Sequence, residues 1–178
     1  MYRTKTNIIY LLIVAAVFLL LKFAYTIADN NDLYFLLKPT DKLVGLLTGS
    51  HSIYLSDKGY FHEQLNIIID KSCSGFNFWV LCFLVFTYLT TSYPHKTITK
   101  TLSIPTALAA AYIFTILVNT SRIFASIVVQ TQTKNIFPNN QHIIHETIGI
   151  ITNLTFLILA YILIDRFLIY KQHHEKLA

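Results

Sequence analysis

From Ile104 to Gln130 the chain carries a single formal charge, Arg122, in a run long enough to cross the hydrocarbon of a bilayer. No other stretch constrains the fold as strongly. In lipid every backbone N–H and C=O must be satisfied within the protein, so a spanning segment of this kind has to be helical. Comparable runs cover about residues 7–28, 76–91 and 143–164. They make an all-α polytopic membrane protein of about four spans the expected fold class, with residues 1–178 forming one membrane-embedded domain. Composition agrees: hydrophobic residues make up 54% and charged residues 13%, with a mean hydropathy of +0.52. Soluble domains usually carry about a quarter charged residues. The net charge of +5 is modest and scattered, which argues against a nucleic-acid partner.

The first run is preceded by Arg3 and Lys5, interrupted by Lys22 and closed by Asp29-Asn30-Asn31-Asp32. Its length favours a retained helix over a cleaved signal peptide, whose apolar region is shorter. Lys22 can extend its amine to an interface or face the bundle. Residues 29–75 do not span and form an outer loop. Within it, Leu43 to Leu47 suit an interfacial amphipathic helix starting near Thr40 or Asp41. Ile53-Tyr54-Leu55, Ser56-Asp57-Lys58-Gly59 and Tyr60-Phe61-His62 read as strand, turn and strand, and Asn66 to Asp70 add a further strand. Tyr93-Pro94-His95-Lys96 breaks the second span, Pro105 opens the first turn of the third, and Pro138-Asn139-Asn140 makes a turn before the fourth. The tail from Asp165 is polar and basic.

Charge orients these spans. Arg3, Lys5, Lys96, Lys100, Arg166, Lys171 and Lys176 fall on the side of the termini, whereas acids outnumber lysines in 29–75 and 131–146. The positive-inside rule then places both termini in the cytoplasm and the outer loop on the extracytoplasmic side of a multi-pass protein.

On that outer side lies Asp70-Lys71-Ser72-Cys73-Ser74-Gly75, where the loop meets the second span. A helix N-terminus and Lys71 both favour negative charge on a sulfur there. Ser74 and Gly75 are small enough to admit another chain and have backbone N–H groups that an anion can use. Cys82, nine positions on, is a buried small hydrophobe by its surroundings. On one helix the two cysteines stand roughly 13 Å apart along the axis, too far for a disulfide.

Arg122, in Asn119-Thr120-Ser121-Arg122, lies roughly 27 Å along its helix from Ile104, toward the outer side. It either serves a function, as intramembrane arginines commonly do, or snorkels to the interface or pairs with an acid. His145, in His142-Ile143-Ile144-His145-Glu146, opens the fourth span on the same side. It suits proton transfer near neutral pH, or else is an interfacial imidazole with its tip in water. A metal held by His142, His145 and a third ligand such as His51 or His62 is an alternative without an established zinc motif behind it. The residues therefore point to no cofactor and no metal.

Cys73-Ser74-Gly75, Asn119-x-x-Arg122 and His145-x-x-x-Gly149 resemble, in order, the three motifs of the exosortase/archaeosortase family of membrane transpeptidases. The resemblance covers about residues 50–165 and suggests a compact form, of the short exosortase K type. It implies a cysteine transpeptidase or protease with Cys73 as nucleophile, Arg122 as oxyanion partner and His145 as acid and base. Asn119, Ser74, Gly75 and Gly149 would support them. The implied partners are exported proteins with a C-terminal motif, a transmembrane helix and a basic tail, in addition to the lipid bilayer. The competing reading is a non-enzymatic membrane scaffold or assembly subunit whose polar residues stabilise the bundle.

Overall fold

The computed structural model describes residues 2–92, 97–133 and 141–177. It is mainly helical: α1 (Tyr2–Ile27), α2 (Tyr34–Thr48), α3 (Phe76–Ser92), α4 (Thr97–Thr133) and α5 (Gln141–Leu177). Strands β1 (Ser52–Leu55), β2 (Gly59–His62) and β3 (Ile67–Ile69) lie between α2 and α3. Among the described residues three stretches are long and apolar enough to cross a membrane: Lys71–Thr91, Ile104–Thr133 and Ile143–Tyr170. Leu12–Ile27 in α1 is a shorter apolar helix. Large apolar side chains stand exposed along α1 (Leu19, Leu20, Phe23) and α5 (Ile150, Ile151, Leu154). Such surfaces are untenable in water and natural against acyl chains, so the chain is a multi-pass membrane protein.

Three element boundaries differ from those read in the sequence. α2 begins at Tyr34, well before Thr40, and carries Pro39 inside it. Pro39 removes only its own N–H from the ladder, and the cost is offset by burying Leu36, Leu37, Thr40, Asp41 and Val44 along one stripe. α4 opens at Thr97, so Pro105 is interior to the helix and does not open it. Lipid-borne helices accommodate proline when neighbouring groups or local adjustments satisfy the freed carbonyl. α5 continues through the polar tail to Leu177, because a backbone ladder need not stop where its side chains reach water. The Tyr93-Pro94-His95-Lys96 break and the Pro138-Asn139-Asn140 turn lie outside the described residues.

The chain packs as two compact units, one of residues 1–26, 77–113 and 157–178, the other of 27–76 and 114–156. In the first, α3 supplies Val80, Cys82 and Phe83, each at most 1% exposed, and α4 supplies the small Ala107 and Ala111. Trp79 Nε1 donates to Leu108 O at 3.3 Å, and its ring meets Tyr112 edge-on. Lys22 Nζ donates to Asn77 Oδ1 at 2.7 Å, so its amine is held by a neighbouring helix. Cys82 is fully buried, and both cysteines are thiols without a disulfide.

In the second unit the strands form an antiparallel sheet of order β1-β2-β3. Alternation places Tyr60, His62 and Ile69 in the interior and leaves Ile53, Leu55 and Ile68 exposed on the opposite face. His62 is completely buried, with Nε2 2.9 Å from Asp41 Oδ1 and Nδ1 2.8 Å from Ser50 Oγ. Ser52 Oγ donates to Asp41 Oδ2 at 3.0 Å. This network pins α2 to the sheet through groups far apart in sequence. Tyr60 and Tyr54, whose rings are tilted with centroids 4.8 Å apart beside Tyr34, have their phenol pKa values raised by burial first of all.

His62→Ala leaves the Asp41 carboxylate, 6% exposed, without its ring partner. Breaking a buried pair in this way costs about 3 kcal/mol or more. Thermal unfolding in detergent should therefore shift sharply downward, and His62→Gln, which can still donate to Asp41, should lose less.

Candidate functional site

The turn that carries Cys73 is built by its neighbours. Asp70 caps the short 3₁₀ turn Lys71–Cys73, accepting from Ser72 N at 2.9 Å, Ser72 Oγ at 2.6 Å and Cys73 N at 3.3 Å. The segment after α1 holds the same turn from the other side. Asn30 Oδ1 accepts from Lys71 N at 2.7 Å, and Lys71 Nζ donates to Ala28 O at 2.6 Å. The lysine expected to favour an anionic sulfur is thus engaged with a carbonyl. Cys73 itself is half-buried, with Ser72 Oγ 3.8 Å from Sγ.

Backbone donors next to the sulfur are partly committed. Ser74 N bonds to Lys71 O at 3.2 Å, and Phe76 N bonds to the buried Ser74 Oγ at 3.3 Å. Ser74 therefore closes the turn and caps the start of α3. Among the described residues Gly75 N makes no hydrogen bond, so it is the backbone donor of this turn still open to a ligand. Gly75 has φ +73°, a left-handed conformation that favours glycine, and an added Cβ would stand 3.0 Å from Asn119 Cγ.

That contact joins the turn to α4. Asn119, 2% exposed, donates from Nδ2 to the carbonyl of Cys73 itself at 2.6 Å. One helical turn further on, Arg122 has its Nε buried without a hydrogen-bond partner, and Asn119 Oδ1 is likewise unpartnered. No carboxylate pairs with Arg122 among the described residues. A Cβ on Gly149 of α5 would lie 2.9 Å from Arg122 Nε, so the absence of a side chain there is what lets the guanidinium rest on α5. His145, half-buried, precedes Gly149 by four residues, one turn along the same helix. Cys73, Asn119, Arg122, Gly149 and His145 all belong to the second unit. Each is linked to the next by a direct contact or by one helical turn.

Sequence reasoning overlooked Asp70 as the residue that shapes the Cys73 turn, although Asp-x-Ser-Cys carries the signature of a side-chain cap. It also had no access to Asn30, which is 41 residues from its partner Lys71. Of the alternative metal ligands, His62 is bound to Asp41 and Ser50, and the His142 side chain lies outside the described residues. Among the described residues no group of three His, Cys, Asp or Glu side chains could hold a metal ion.

A half-buried thiol, a half-buried guanidinium whose Nε has no hydrogen-bond partner and a half-buried imidazole are group types that acyl transfer can use. Compared with protein-family models, with curated proteins and with solved structures, the chain gives no match.

Proposed function

We propose that this chain is a membrane cysteine transpeptidase or protease of the exosortase/archaeosortase kind, cleaving a C-terminal sorting signal of exported proteins through a thioester. The observation that carries the proposal is Asn119. Its amide holds the carbonyl of Cys73 while its helix presents half-buried Arg122, with Nε buried and unpartnered, one turn away. Arg122 Nε and Asn119 Oδ1, left free one turn from each other beside the Cys73 turn, can meet a polar ligand there.

In this reading Cys73 Sγ attacks the scissile carbonyl, and Arg122 together with Gly75 N stabilises the tetrahedral oxyanion. His145 protonates the leaving amine and then deprotonates the incoming nucleophile. Asn119 and Asp70 fix the nucleophile turn from either side, and Gly149 makes room for the guanidinium. Arg122 is a permanent charge in poorly hydrated surroundings, where its effect on a developing anion is larger than in water.

The proposal includes orientation: about four spans in the cytoplasmic membrane, both termini cytoplasmic and the Cys73 turn outside. Basic residues collect in 92–103 and at the two ends. Reporter fusions there should read as cytoplasmic, and a fusion at Ser56 as external. A cytoplasmic Ser56 would put Cys73 on the wrong face and overturn the export reading. The enzymatic step is tested by co-expressing an exported protein that ends in a motif, a transmembrane helix and a basic tail. Its shortening should depend on Cys73, and persistence of the full-length form with the native enzyme would count against the proposal.

A further inference from the structure

Among the described residues, the strand that leads to the nucleophile has one edge without a strand partner. In the order β1-β2-β3, β3 is paired with β2 alone, with Phe61 opposite Ile68 and His62 opposite Ile67. Among the described residues Ile67, Ile68 and Ile69 make no hydrogen bond beyond that ladder. β3 is short, three residues, but it carries no lysine, proline or bulge that would turn a partner strand away. We propose that this edge is the docking strand for the polypeptide substrate, an inference that rests on the acyl-transfer reading of Cys73. The substrate adds a fourth strand beside β3, held by main-chain hydrogen bonds.

Three features favour a peptide strand as the occupant and β3 as its place. First, Ile69 is followed directly by Asp70 and the Lys71–Cys73 turn, so a chain lying along β3 is delivered to the sulfur. β1, the other edge, is two strands away, on the order of 10 Å. Second, the residues that precede a scissile bond must end at Cys73, which fixes the direction. The substrate runs parallel to β3, toward the sulfur. An extended tetrapeptide covers about 13 Å, enough to follow this edge and present its last carbonyl beyond it. Third, Ile53, Phe61 and Ile68 stand opposite one another across all three strands on the sheet's exposed face. A fourth strand would continue this row, so every second substrate residue would meet an apolar neighbour while the alternate ones face inward.

The test uses synthetic aryl thioesters, with the full chain in detergent and acylation of Cys73 read by mass. In the reaction the Cys73 thiol gives up its proton, its sulfur bonds to the acyl carbon, and the aryl thiolate leaves and takes up the proton. N-acetyl-glycine thioester is compared with N-acetyl-Thr-Val-Thr-Gly thioester and with two forms of the latter, N-methylated at Val or at the second Thr. Strand pairing predicts that the tetrapeptide acylates Cys73 roughly tenfold faster than acetyl-glycine, because only the longer ester can form main-chain hydrogen bonds along β3. It also predicts that one methylated form, and not the other, loses that advantage, because neighbouring N–H groups in a strand point to opposite sides. Equal rates for all four esters, or equal slowing by both methyl groups, would overturn the docking strand while leaving Cys73 an acyl acceptor. Failure of every ester to acylate Cys73 would overturn the acyl-transfer reading and the docking strand with it.

Discussion

Cys73→Ser should reduce processing of an exported substrate to background while the protein accumulates in the membrane as before. Serine nearly preserves size, and the bonds that shape the turn come from Asp70, Asn30 and Asn119 to main-chain atoms, which the exchange does not touch. What is lost is nucleophilicity: a hydroxyl at neutral pH is far weaker than a thiol with access to its thiolate. Cys82→Ser is the matched control. Cys82 is fully buried in the other compact unit, among residues such as Val80 and Phe83, and is expected to leave turnover largely intact. The check is the fraction of substrate shortened at matched enzyme levels. Substantial shortening by the Cys73 variant would end the thioester mechanism.

Arg122→Lys should accumulate normally and process substrate about a hundred- to a thousand-fold more slowly, the usual cost of losing one oxyanion donor. A cation that merely snorkels can be replaced by lysine with little effect, because both side chains carry their charge to the interface. A planar guanidinium has donors in fixed geometry, Nε included, which an ammonium cannot reproduce. Here Nε is the buried, unpartnered atom, and it rests against Gly149. Substrate binding should survive the exchange, since this interaction strengthens mainly as the carbonyl becomes tetrahedral. Initial rates at saturating substrate separate the two accounts. Near-native turnover would return Arg122 to a packing role.

Membrane residence was legible in the sequence because the bilayer leaves a long apolar run only one regular conformation. Element ends were less so. Pro39 and Pro105 read as boundaries from local chemistry, and both sit inside helices, where burial of a stripe in α2 and the lipid around α4 outweigh one missing N–H. The motifs marked Cys73, Arg122 and His145 one by one, yet nothing local revealed how they are linked. Asn119 reaches the Cys73 carbonyl across 46 residues, and Gly149 meets Arg122 from another helix. The buried Asp41–His62–Ser50 network was invisible for the same reason: each member reads alone as an ordinary polar loop residue. Nor did the sequence show that the Lys71 amine donates to Ala28 O, 43 residues away.

The central claim is that Cys73 carries the acyl group of a cleaved substrate. The most direct measurement is the mass of the chain isolated by acid quench from cells processing that substrate, followed by mapping of its two cysteines. The proposal predicts an acyl adduct on Cys73 that neutral hydroxylamine removes, with Cys82 unmodified. Processing that continues while Cys73 stays free of any hydroxylamine-labile adduct would contradict it.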